Sequence, residues 1–334
     1  MKIGIDCRSL TSGPLGIRTY VQNLLERIPS LDCLNHSFPS NNFLWNHSRA
    51  PMAQFSHRWD LYHAPAYTAP LLNFCPLIVT TADISYLAHE EWYPHRMDPF
   101  RRRYYASSLK RADRIIVTSE FSRDEVLRLF PDLEPRVRRI YLAASEFFEK
   151  DEGLAAQVRR QLGLPEHFIL HVGDIHPRRN VEKLAAAAEK VRLPLVLVGR
   201  LLQGAAALAR RPHLYQGLNE RELKGVYSAA TVFAYASVYE GFGLPVLEAM
   251  ACGLPVVCSN RSCLPEVCGD AAVLVDPEVD ALVEGIQRVL TDHEGYAARG
   301  LIQARNFSWD KTAAQTLKVY RELTSSTDPV RTPR

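Results

Sequence analysis

The sequence predicts an α/β protein of two doubly wound, parallel-sheet domains facing a cleft. Three observations predict it. Short, apolar, β-branched segments recur along the chain with helix-length stretches between them, which is the pattern of βαβ units. The pattern restarts after a polar stretch near the middle of the chain. The length of 334 residues suits two domains of about 150 residues each.

Taken in order, residues 2–6, 77–81 and 114–118 read as buried strands of the first half. Residues 168–172, 195–198, 232–235 and 255–258 read the same way in the second, with 273–275 as a further candidate. Helices are expected over 17–27, 99–112, 122–129, 181–191, 220–229 and 280–290. Residues 32–58, rich in Asn, Ser, His and Pro, read as irregular loops with at most a short strand. The boundary is expected between 145 and 165, giving domains over 1–150 and 163–307. The tail from 324 onward reads as frayed.

Composition is that of an ordinary globular protein, 47% hydrophobic and 23% charged. No apolar run approaches the roughly 20 residues of a membrane-spanning helix. The chain enters a strand at once, so no signal peptide is expected and the cytoplasm is the expected compartment. The seven cysteines include no C-x-x-C pair, so buried reduced thiols are expected and neither a zinc site nor a redox motif. A net charge of +3 argues against a dedicated nucleic-acid binder. The basic excess gathers between Arg96 and Arg114. Such a run is a solvated helix face, or a contact for anionic lipid head groups at the inner face of a membrane or for a pyrophosphate-linked acceptor.

The segment 238–253, VYEGFGLPVLEAMACG, carries the chemistry. Gly241 and Gly243 allow a tight turn, Pro245 suits a first helical turn, and Gly253 ends the helix. Amides and dipole at that helix start favour an anion such as phosphate. Glu240 and Glu248 flank it. Carboxylates repel phosphate, so they make sense as partners of sugar hydroxyls; solvated glutamates on an ordinary strand–turn–helix are the alternative.

The stretch 239–265, YEGFGLPVLEAMACGLPVVCSNRSCLP, resembles the signature of the family-four retaining glycosyltransferases of GT-B fold, two Rossmann-like domains around a cleft. Its hallmark is two glutamates separated by seven residues, as Glu240 and Glu248 are. Four further segments are similar in the right order: MKIGIDCRSLTSGPLGIRTYVQNLL, ADRIIVTSEFSRDEV, FILHVGDIHPRRNVEKL and FSWDKTAAQTLKVYREL. The last resembles the C-terminal helix, 308–323, that crosses back to the N-terminal domain in this fold.

The resemblance implies that Glu248 binds the nucleotide ribose and that Glu240 lies near the donor sugar. It implies donor contacts at Gly241, Phe242, Gly243 and Leu244, with the amides of Gly243 and Leu244 touching sugar and phosphate. Arg178 and Arg179 sit where the family has Arg-Lys, and Arg179 would neutralise the donor pyrophosphate. Gly16 would let its loop approach the β-phosphate. Gly217 and Leu218 look like the base-contacting segment. His63, in Asp60-Leu-Tyr-His-Ala-Pro65, matches a segment at the rim of the N-terminal sheet and is a candidate catalytic contact or a structural histidine. His171, inside an apolar strand, reads as structural.

Three positions depart from the pattern. Ala82 replaces a histidine placed against the donor sugar, Asp174 stands where an Arg is frequent, and Arg18 where a second glycine is frequent. A dinucleotide-dependent dehydrogenase is excluded because no G-x-G-x-x-G follows the first strand, and no Asp-x-Asp marks a metal-dependent transferase. The expected function is metal-independent, retaining hexosyl transfer from a nucleotide-diphosphate sugar, GDP-mannose or a UDP-sugar, to a glycan or lipid-linked glycan of a surface polysaccharide. No cofactor is implied. The rival expectation is a catalytically weakened partner subunit that retains nucleotide-sugar binding.

Overall fold

A computed structural model describes residues 1–11, 15–34, 45–93, 98–202 and 213–324. Part of the glycine loop before Leu15, Arg96 of the basic run, residues 35–44 of the segment expected to be irregular and all of the tail but Thr324 lie outside the described residues. The chain forms two compact units, 1–142 with 309–334, and 143–308.

The first unit holds a parallel sheet of six strands: β1 (Ile3–Asp6), β2 (Leu31–Leu34), β3 (Leu61–Ala64), β4 (Leu77–Thr81), β5 (Arg114–Val117) and β6 (Val137–Arg139), in the order β2-β1-β3-β4-β5-β6. The central strands are buried on both faces, which is why they read as unbroken apolar runs. Helices α1 (Leu15–Arg27), α2 (Ala50–His57), α3 (Ser85–Ala88), α4 (Asp98–Arg111) and α5 (Glu120–Leu129) connect them. α5 begins where the Ser119 side chain accepts from Ser122 N, an N-cap worth about 1 kcal/mol. Gly4 has no alternative in β1, since a Cβ there would stand 2.2 Å from the Trp59 ring that covers it.

The described residues of 32–58 are more regular than expected: β2 reaches Leu34, and a π-type turn at Trp45–Arg49 leads into α2. Burial supplies what propensity lacks, because Trp45, Ala50 and Ala53 enter the core of this unit. A second correction concerns Cys7 and Cys33. They are joined as a disulfide, not held as free thiols, because parallel pairing sets Ile5 opposite Cys33 and brings the end of β1 alongside β2. The other five cysteines are free, and Cys252, Cys258, Cys263 and Cys268 are buried.

The second unit holds β7 (Ile169–Val172), β8 (Leu195–Val198), β9 (Leu214–Tyr215), β10 (Val232–Tyr235), β11 (Val256–Ser259) and β12 (Ala272–Val275) in the order β12-β11-β10-β7-β8-β9. Its helices are α6 (Glu152–Leu162), α7 (Val181–Val191), α8 (Glu220–Ala229), α9 (Leu244–Ala251), α10 (Leu264–Cys268), α11 (Val279–Thr291) and α12 (His293–Arg305). α6 falls within this unit, although its residues stand in the stretch expected to join the domains. The reason is Gly225 on α8: a Cβ there would sit 2.5 Å from Val158 of α6, so the two helices pack closely. α8 starts with a full capping box between Asn219 and Glu222.

The last helix, α13 (Trp309–Thr324), returns to the first unit. Thr312 donates to the Tyr141 carbonyl at 2.7 Å, and Glu322 pairs with Arg114 at 2.9 Å and Arg138 at 3.0 Å. No described helix is long and apolar enough to cross a membrane.

Candidate active site

The strand order of the second unit reverses between β7 and β10, since the chain runs outward from β7 to β9 and then from β10 to β12 on the other side. Ligands of such sheets bind beyond the carboxyl ends of the strands at that switch. The loops leaving β7 and β10 carry Arg179 and Glu240, and the two side chains form an ion pair there. Both are largely buried, with side-chain exposures of 14% and 6%.

Each is positioned by its own loop. Pro177–Arg179 form a single 3₁₀ turn capped by His176. The Arg178 carbonyl accepts from Val238 N at 2.9 Å, which ties the β7 loop to the β10 loop. Ser237 donates to Glu240 Oε1 at 2.6 Å, and Glu240 N donates to Ser262 Oγ at 3.1 Å. Beneath the ion pair lies an aromatic floor. The Arg179 guanidinium stands 5.3 Å from the Tyr235 ring centre, and Tyr235 stacks on His171 at 5.3 Å. Gly173 opens the β7 loop at φ 140°, a conformation that side-chain-bearing residues rarely adopt.

The turn 241–243 leads into α9, with Gly243 as N-cap at φ 90° and Pro245 in the first turn. A Cβ on Gly243 would also meet Leu264 at 2.9 Å. Phe242 sets its ring against Phe307 at 5.8 Å. Glu248 stands one turn into α9 and accepts from the Tyr227 hydroxyl at 2.9 Å. Burial pushes its carboxyl up to about 7, against the lowering effect of that hydrogen bond. Gly217 takes φ 72° in the loop between β9 and α8, with open space where a Cβ would be, and half-buried Leu218 follows it. Among the described residues no group of three His, Cys, Asp or Glu side chains could hold a metal ion.

A guanidinium at the switch point, two carboxylates separated by seven residues and a glycine-capped helix start suit a diphosphate joined to polyhydroxylated groups. Two family models match the chain in turn, Glycosyltransferase Family 4 over residues 4–143 and Glycosyl transferases group 1 over 156–318. The chain is 35% identical over 284 residues to the O-antigen chain mannosyltransferase B of Escherichia coli, a match covering 79% of this chain and 74% of that protein. This chain belongs to the group 1 glycosyltransferases of the family 4 type. It is also 28% identical over 322 residues to the alpha-maltose-1-phosphate synthase of Mycolicibacterium smegmatis, covering 84% and 81% of the two chains. Among solved structures, sucrose-phosphate synthase from Thermosynechococcus elongatus superposes with TM-score 0.75 at 21% identity, over 97% of this chain and 99% of that one. WaaG, a glycosyltransferase involved in lipopolysaccharide biosynthesis, gives TM-score 0.72 at 15% identity, over 97% and 100%. The fold is that of the two-domain GT-B proteins.

The first unit of this family 4 glycosyltransferase treats its candidate residues differently. His63 fits the structural alternative: it is fully buried, and both ring nitrogens are taken, Nδ1 by the Tyr320 hydroxyl at 2.7 Å and Nε2 by Thr80 Oγ1 at 2.7 Å. Burial lowers its pKa to about 3. The ring links β3, β4 and α13. Gly16 opens α1 in the same unit, one residue after its first residue Leu15. Ala82 follows β4, and its carbonyl accepts from Thr118 at 3.1 Å and from Ser122 at 3.4 Å.

In the second unit Asp174 is neutralised by Arg200 at 2.5 Å. Burial raises the Asp174 carboxyl, but Arg200 outweighs burial and holds it below its usual range. The basic run is partly consumed by the fold. Arg102 donates to the carbonyls of Tyr86, Glu90 and Tyr93, Arg111 to those of Ala69 and Pro70, and Arg114 pairs with Glu322.

Ser237, Ser262, Tyr227 and Tyr235 were not singled out by sequence reasoning. Ser237 offered one signal, its place three residues before Glu240. The Tyr227–Glu248 bond, 21 positions apart, offered none.

Proposed function

We propose that this chain is a metal-independent, retaining hexosyltransferase that moves mannose from GDP-mannose to a glycan or lipid-linked glycan of a surface polysaccharide. The observation that carries the proposal is the Arg179–Glu240–Glu248 arrangement at the switch of the second sheet. The mannosyltransferase relative favours mannose over other hexoses. In the reaction, Arg179 and the amides at the start of α9 take the charge that builds on the departing diphosphate. Glu248 accepts hydrogen bonds from ribose hydroxyls, and Glu240 from the donor sugar. The acceptor hydroxyl enters on the face from which the diphosphate leaves, so no protein nucleophile is required.

The test is release of nucleoside diphosphate from a panel of nucleotide sugars in the presence of candidate acceptors. GDP release from GDP-mannose at rates above the other donors is expected. Faster release from a UDP-sugar would overturn the choice of donor. Ala82 favours a second reading, a donor-binding subunit of weakened activity. Binding of every donor without release, together with activity gained by Ala82→His, would replace the first reading with this one.

A further inference from the structure

Arg179 and Glu240 have requirements that conflict in the proposed reaction. The guanidinium is the group at the switch point that meets a diphosphate, yet it is bonded to Glu240 Oε1. That same oxygen accepts from Ser237 at 2.6 Å. Glu240 is only 5% exposed and is fixed from the β10 loop by Ser237 and from the β11 loop by Ser262. Arg179 has more latitude, because its underside rests on the Tyr235 ring, and a ring face attracts a cation without fixing its orientation as a hydrogen bond does. The Tyr235 hydroxyl and His171 Nε2, both buried, bond no protein atom, so neither floor residue ties the guanidinium down by a hydrogen bond.

We infer that Arg179 is shared between two anions, Glu240 and the diphosphate of the nucleotide, and that Glu240 thereby weakens nucleotide binding by this protein. This inference rests on the donor reading given above. When a nucleotide sugar binds, the guanidinium transfers to the diphosphate and the Glu240 carboxylate is released to the sugar hydroxyls. After the sugar has left, nothing holds Glu240 away from Arg179, and its return favours dissociation of the nucleoside diphosphate. Ser237 acts as a positioning residue that keeps Oε1 within reach of the guanidinium.

The test is calorimetric titration of guanosine, uridine and adenosine diphosphates into the wild-type chain, Glu240→Gln, Arg179→Ala and the double variant, with the free nucleoside as control. Glu240→Gln is expected to bind the preferred diphosphate roughly tenfold tighter, a gain of the size of one charge–charge coupling. It is also expected to transfer sugar more slowly. The nucleoside alone is expected to show no gain. In the Arg179→Ala background the same substitution is expected to change affinity by less than about twofold, since the competition runs through the guanidinium. Glu240→Ala serves in the same cycle if Glu240→Gln does not fold. Unchanged or weaker binding by Glu240→Gln overturns the competition and leaves the donor reading intact. An equal gain in the Arg179→Ala background overturns it too, by reducing the effect to plain repulsion. Failure of the wild-type chain to bind any of the three diphosphates overturns the donor reading and this inference with it.

Discussion

In the second unit the polar groups near the strand ends stand on loops: Arg179 after β7, Glu240 after β10 and Ser262 after β11. In the first unit the candidate at a strand end, His63, lies inside. His63 is wholly buried, and Tyr20 and Thr80 continue its hydrogen-bond chain at 3.2 Å. Both sheets are six-stranded and parallel, so architecture alone does not set the difference. α13 does. It places Tyr320 against His63 and closes the interior of the first unit over the histidine. The second unit receives no such returning helix. A polar residue on a loop is cheap for the fold and free to act; one buried at the end of a strand is committed to the fold.

Substitution should separate these roles. Arg179→Ala is expected to lower transfer by about 10²–10³-fold, the usual loss when one donor to developing charge is removed, with a melting temperature near that of wild type. His63→Ala is expected to do the reverse. It strands the Tyr320 hydroxyl, leaves Thr80 with Tyr20 alone and opens a cavity, for a loss of about 3 kcal/mol of stability while the donor KM holds. Denaturation profiles and donor kinetics on both variants check this; a large KM change in His63→Ala would break the comparison.

Acid should separate the units by a smaller amount. Burial lowers the His63 pKa from 6.5 to about 3. The folded chain therefore binds fewer protons there than the unfolded one, and the stability held above pH 6.5 is lost as the pH falls. The second unit contains His171, lowered to about 3 by burial and then by Arg179. It also contains Glu248, raised from 4.5 to about 7 by burial. Glu248 works with the opposite sign: its contribution is fullest below pH 4.5 and disappears as the pH rises through about 7. Between pH 4.5 and 6.5 the two oppose each other in the second unit, and His63 has no such counterweight. All four tryptophans, Trp45, Trp59, Trp92 and Trp309, belong to the first unit, so their emission reports on it alone. The tryptophan-detected stability is expected to fall by about 2 kcal/mol from pH 6.5 to 5.0. His63→Gln should remove most of that slope. A slope that persists would place the acid-sensitive group elsewhere.

The smallest effect concerns the start of α9. Gly243→Ala forces φ 90° on an alanine and presses Leu264, at a cost of about 1–2 kcal/mol. Donor affinity should fall with it, because the helix start would tilt. Melting curves and donor titrations check this, and unchanged values for both would sever the turn from the site.

The legible parts of the chain were those where local sequence and burial agree. β7, β8, β10 and β11 fall within a residue of the expected limits, because strands buried on both faces must be apolar along their whole length. The turn 241–243 with α9 was legible because tight turns and helix starts demand particular residues. β2, β3, β6 and β9 were not singled out as strands. β2 contains Asp32 and Cys33, β6 contains Arg138 and Arg139, and β3 contains Tyr62 and His63. β2, β6 and β9 stand at sheet edges, while β3 is specified by partners on both sides. The helix at 50–57 escaped for a related reason: core contacts hold it, not a clean amphipathic pattern.

Sequence by itself therefore determined the two α/β units, the family and the glutamate pair, since each is written in residues near one another along the chain. Tertiary structure alone decided that Arg179 pairs with Glu240 across 61 positions. It also decided that Tyr227 binds Glu248, and that His63 is taken up by Tyr320 across 257 positions. A hydrogen bond or an ion pair acts over about 3 Å of space, and no spacing along a chain encodes a distance that only the packed sheet and the returning helix create.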